Sequence, residues 1–129
     1  MQEKRREPRR VVKELILVWD NRDNSLVGQV ADMTENGVQL VSRWPVEVGS
    51  TLYCQMDLPY EVDGFEFLNI ELFCRRCSVS DVGDVYACGF EFRNLLPETK
   101  TALRRFIQTW RPEDRLSSSA KVRSMPRSR

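Results

Sequence analysis

The chain has 129 residues, with 20 lysines and arginines against 19 aspartates and glutamates, no histidine and a formal net charge of +1. That length suits one domain with one core, and no apolar run is long enough for a membrane-spanning helix. The lack of histidine removes the commonest general base, and no nucleophile motif or phosphate-cradling glycine loop appears, so the reading is a non-enzyme.

In chain order, the first feature is the basic segment Lys4-Arg5-Arg6-Glu7-Pro8-Arg9-Arg10. Charges stand where a signal peptide needs an apolar stretch, which predicts a cytoplasmic protein. Residues 11–19 are rich in β-branched and large apolar types and predict a strand, ended by the turn-forming run 20–25. Further strands are predicted at 26–33, 38–42, 51–58, 65–78 and 85–93, with turns at 35–37, 47–50, 61–64 and 81–84. Six strands with short connections indicate an all-β fold, a small closed or nearly closed antiparallel barrel. A C-terminal helix follows. Pro97 suits its first position, Glu98 complements the dipole, and Leu103, Phe106, Ile107 and Trp110 form one apolar stripe until Pro112 stops it. The stripe is expected to cover one mouth of the barrel. Residues 112–129 lack periodicity and apolar content, and a disordered basic tail is expected. The three parts are therefore an Arg-rich arm at 1–11, a barrel with its helix at 12–111, and the tail.

Charge is distributed unevenly. Residues 1–10 carry +3, residues 111–129 carry +4 and the middle carries −6. Basic ends can contact nucleic acid, but an acidic body opposes a specific nucleic-acid face.

Two short motifs carry the functional signal. Arg6-x-x-x-Arg10 can grip phosphates and the acceptor edge of guanine, and Asp32-x-Thr34-x-x-Gly37 can take the donor edge of the same base. Each alone is ordinary, since a basic arm is commonly just solvated and Asp, Thr and Gly are common in turns. Their order and spacing, followed by Gly49 and by Gly89-Phe90-Glu91-Phe92 before the helix, resemble the PilZ domain, a family of bacterial cyclic di-GMP receptors. The resemblance implies a six-stranded antiparallel PilZ-type β-barrel with a C-terminal α-helix. It implies cyclic di-GMP as ligand, with no further cofactor. The contacting residues would be Arg5, Arg6, Arg10, Asp32, Thr34 and Gly37. In that family an arginine at the position of Arg5 accompanies a stacked ligand dimer, so two molecules per chain are expected. Arg5-x-x-x-Arg9 fits the same pattern and keeps Arg9 as a reserve candidate, although Arg10 abuts the first strand directly. Asp32 would accept from guanine N1 and N2, Thr34 would offer a hydroxyl where the family more often has serine, and Gly37 would permit a tight turn or close backbone approach.

Cys74-Arg75-Arg76-Cys77 has the spacing of half a zinc or redox site, with Cys54 and Cys88 available to complete it. Against a metal, there is no histidine and no second such pair, and a regular strand sends Cys74 and Cys77 to opposite faces unless a bulge intervenes. Reduced, mostly buried thiols are expected. Two function classes remain open: a receptor that orders its arm around cyclic di-GMP and so changes its affinity for an unidentified protein effector, and a PilZ-like adaptor that binds a protein without nucleotide. Nothing in the sequence selects among motility, surface attachment, exopolysaccharide production and virulence as the output.

Overall fold

The computed structural model describes residues 15–81 and 83–110. The predicted arm, with Arg5, Arg6, Arg9 and Arg10, and the predicted tail lie outside the described residues. Among the described residues there are six strands: β1 Leu17–Asp20, β2 Leu26–Met33, β3 Gly37–Ser42, β4 Thr51–Val62, β5 Phe65–Val79 and β6 Tyr86–Arg93. They close into a barrel in the order β1-β2-β3-β6-β5-β4, and every neighbouring pair is antiparallel. Among the described residues short β1 closes the barrel by pairing with both β2 and β4.

Period-two alternation explains which side chains meet inside. On β3, Val38, Leu40 and Ser42 are buried while the residues between them are half-exposed. On β5, Leu68, Ile70, Leu72 and Cys74 point inward. Strict continuation would drive Arg76 into the core. The ladder instead slips one residue: Cys74 pairs with Phe90 and Arg76 with Gly89, leaving Arg75 extra. This β-bulge turns Arg75 and Arg76 outward together and restores the inward phase at Cys77.

The predicted strands match the observed ones closely except at β1 and at β4 with its following turn: the first strand, expected at 11–19, is Leu17–Asp20, residues 15–16 precede it and 11–14 lie outside the described residues. The turn expected at 61–64 is only two residues long, and β4 continues to Val62. Asp63 and Gly64 both adopt positive φ, 52° and 86°, as a tight primed hairpin requires. Pro59 lacks a backbone donor, and the β4–β5 pairing is irregular between Asp57 and Val62. Those two features obscured the strand in the sequence.

Helix α1 spans Pro97–Thr109, with Pro97 in its first turn and Trp110 already extended. Ala102, Leu103, Phe106 and Trp110 join the core, while Ile107 is only partly buried. Phe106 anchors the helix. Its ring lies 5.7 Å from that of Tyr60 and 6.5 Å from that of Trp110. Arg105 pairs with Asp63 of the β4–β5 turn at 2.9 Å, and Arg104 with Glu35 of the β2–β3 turn at 3.3 Å. The helix therefore lies across the barrel end carrying both hairpins. These exposed pairs orient it, and the buried rings of Phe106 and Trp110 supply most of the energy. No helix among the described residues is long and apolar enough to cross a membrane.

Candidate functional site

The β2–β3 hairpin carries Asp32, Thr34 and Gly37, and its local bonding is well defined. The Thr34 N–H donates to the Gly37 carbonyl at 2.9 Å, closing the turn. The Thr34 hydroxyl accepts from the Asn36 N–H at 3.2 Å, and Asp32 Oδ1 accepts from the Met33 N–H at 2.8 Å. Both side chains are exposed at the surface. Thr34 thus has a structural task besides any ligand contact, and Thr34→Val should cost about 0.5–1.5 kcal/mol in denaturant unfolding, the worth of one hydrogen bond. Thr34→Ser, which keeps the oxygen, should cost less.

Gly37 does not need unusual backbone angles, because its φ is not positive. Its constraint is steric. A Cβ built there would stand 2.2 Å from the Phe90 carbonyl oxygen on β6. The close approach is between two strands, where Gly37 pairs with Glu91.

Beside this hairpin lies an open cleft of about 210 Å³. Asp32, Thr34 and Gly37 line one part of it, Gln39 of β3 and Gly89 of β6 its floor, and Arg75 and Arg76 of β5 the far side. Acceptors and permanent cations thus face one space, the combination that a guanine nucleotide requires. Arg75 is engaged by Glu91 at 2.9 Å, and Arg93 approaches the same carboxylate at 3.3 Å while stacking 3.9 Å above the Phe73 ring. Hydrogen bonding from Arg93, with Arg75 adding to it, holds the Glu91 carboxyl below its ordinary pKa. Gln39, Arg75 and Arg76 were not singled out as ligand contacts from sequence. The available signal was a pair of adjacent arginines following four alternately inward apolar positions, which demands either a buried arginine or a bulge.

The same bulge brings Cys74 and Cys77 to one side, the exception that regular strand geometry had left open. Cys77 faces Cys88 across the β5–β6 ladder, with the two sulfurs 3.1 Å apart. Burial pushes the Cys54 and Cys88 thiols up to about 12 and raises that of Cys74. Among the described residues no group of three or more cysteine or carboxylate side chains is arranged to hold a metal ion. Partly exposed Cys77 should therefore react first with a thiol-alkylating reagent at neutral pH, with Cys54 and Cys88 labelled only on unfolding. Peptide mapping of partially labelled protein checks this order.

The PilZ domain family model matches residues 3–109, spanning both motifs, the barrel and the helix. The chain belongs to the PilZ domain family. PilZ domains are cyclic di-GMP-binding modules and not catalytic ones, and the closed barrel with one C-terminal helix is the architecture that the sequence had implied. Among solved structures, the Bacillus subtilis inhibitor of motility MotI/DgrA is similar at 14% identity and a TM-score of 0.49, over 75% of this chain and 48% of that one. The PilZ chain thus spans about half the length of that protein. No curated protein matches it.

Proposed function

We propose that this PilZ domain is a cyclic di-GMP receptor whose arm, through Arg6 and Arg10, closes a ligand against the cleft beside the β2–β3 hairpin. The observation that carries the reading is the convergence of Asp32 and Thr34 with outward-turned strand arginines on one cleft of a PilZ barrel. Asp32 accepts from the guanine N1 and N2 donors, Thr34 adds a hydroxyl, and Gly37 holds the hairpin close against β6. Arg6 and Arg10 take phosphate oxygens and guanine O6 and N7. Arg5 extends the set to a stacked pair of ligands per chain, with Arg9 in reserve. Ordering of residues 1–11 over the cleft then alters the surface shown to a protein effector.

Isothermal titration of the full chain with cyclic di-GMP at moderate salt, with GTP and cyclic GMP as controls, tests the reading. Selective micromolar or tighter binding is expected, with a stoichiometry near two. Absence of heat and of chemical-shift change would overturn it and leave a nucleotide-independent adaptor.

A further inference from the structure

We propose that Arg76 is a further ligand-contacting guanidinium, supplied by the barrel and not by the arm, and that Gly89 is glycine so that Arg76 can lie flat across β6. The proposal rests on the receptor reading. Three observations support it. First, the β5 bulge exists where an arginine would otherwise be buried, and it delivers Arg76 to the outer surface opposite Gly89. Second, a Cβ built at Gly89 would meet Arg76 at three atoms, Cγ at 3.3 Å, Cζ at 3.4 Å and Nε at 3.5 Å. The stem and guanidinium therefore run along the strand surface, and one face of the guanidinium is laid toward the backbone. Third, among the described residues Arg76 forms no ion pair, whereas neighbouring Arg75 is held by Glu91 at 2.9 Å.

A flat guanidinium with no carboxylate partner among the described residues, on the wall of a cleft whose other wall carries Asp32 and Thr34, is built for a purine. Arginine stacks on purine faces and donates along its edge to phosphate or to guanine O6 and N7, and lysine does this poorly. The open cleft of about 210 Å³ has room for a base between these two walls. The geometry thus gives the barrel one guanine, with Asp32 on its donor edge and Arg76 against its face, and leaves the phosphates to the arm. This contact is held in place by folded strands: Arg76 adds affinity for a purine face, and Asp32 on the donor edge sets the preference for guanine over adenine.

Calorimetric titration of the full chain with cyclic di-GMP and cyclic di-AMP tests this. Arg76→Ala and Arg76→Lys should each weaken cyclic di-GMP binding at least about five-fold, the usual worth of a stacked base, without reversing the preference over cyclic di-AMP that Asp32 sets. Arg105→Ala, on the helix and paired with Asp63, serves as the charge-matched control and should bind as the wild type does. Gly89→Ala should reproduce the loss by displacing Arg76. Should that variant misfold, the exposed Arg76 substitutions still decide the matter. Wild-type affinity in Arg76→Lys would overturn the proposal, since charge alone would then suffice. A wild-type chain that binds no cyclic di-GMP would overturn the receptor reading and this one together, a result distinguishable at the first titration.

A second inference stands on different atoms and is independent of the ligand. We infer that Cys77 and Cys88 are joined by a disulfide when the protein meets a peroxide. They are direct cross-strand partners with sulfurs 3.1 Å apart, and bond formation requires closure to about 2.05 Å. Cys74 does not compete, because its thiol is directed to the Arg76 and Val46 carbonyls at 3.5 and 3.9 Å. The Cys77 thiolate attacks a peroxide oxygen, breaking the O–O bond and leaving a sulfenic acid and hydroxide. The Cys88 sulfur then displaces that hydroxyl as water, so two thiols are oxidised and one peroxide is reduced. Hydrogen peroxide treatment followed by intact mass and peptide mapping should show the loss of two hydrogens and a linked 77–88 peptide, absent in Cys77→Ser. Oxidation of Cys77 to sulfinic or sulfonic acid without a link, or no reaction, would overturn the assignment.

Discussion

Gly37→Ala should destabilise the barrel by about 3 kcal/mol or more, at or beyond the upper end of ordinary overpacking costs. The added methyl falls 2.2 Å from a backbone oxygen, that of Phe90, and no rotamer change relieves a clash with main chain. Relief requires β3 and β6 to part where they are hydrogen-bonded over the whole length from Gly37–Glu91 to Ser42–Tyr86. Gly64 provides the contrast. Nothing lies within 4 Å of a Cβ built there, and its constraint is the φ of +86°. Gly64→Ala should therefore cost only about 1 kcal/mol, the strain of a left-handed residue. Urea unfolding of the two variants measures both. A Gly37→Ala midpoint close to wild type would mean that the third motif position serves the ligand and not the strand packing.

The second large effect is on binding. Arg6→Ala and Asp32→Ala should each weaken cyclic di-GMP binding by about 1–3 kcal/mol, and Asp32→Ala should also cost about 0.5–1.5 kcal/mol of stability, because its carboxylate accepts from the Met33 N–H. Asp32 is exposed, so its removal opens no cavity. The two residues act on opposite edges of the same bases in the proposed site, so their double variant should lose less than the sum of the singles, as neighbours in one network do. Full additivity, or unchanged titrations for both single variants, would contradict the site assignment.

How much of this was visible before the fold was known depends on the kind of signal. Alternation on β3 and the stripe through Leu103, Phe106 and Trp110 are periodic patterns, and both elements formed where those patterns stand. The Asp63-Gly64 turn was legible in principle as a tight hairpin signal but was masked by Pro59 nearby. The cleft's far wall was not legible from motifs. Arg75 and Arg76 reach it only because a bulge shifts the phase of β5, a consequence of avoiding a buried charge rather than of any local propensity. Asp32 pairs with Gln39 across its own hairpin, but the far side of its cleft comes from β5 and β6, more than forty residues away in sequence. For Gly37 the sequence leaves both a tight turn and a close backbone approach open, and the approach found is that of strand β6, which only the register reveals.

The most direct test of the central claim is a two-dimensional amide NMR titration of the full chain with cyclic di-GMP. The largest shift changes are expected at Thr34, Gly37, Gln39, Arg76 and Gly89, around one cleft, with the helix residues Ala102 and Leu103 little affected. Changes confined to another face of the barrel, or no changes at saturating nucleotide, would contradict the assignment of this cleft as the receptor site.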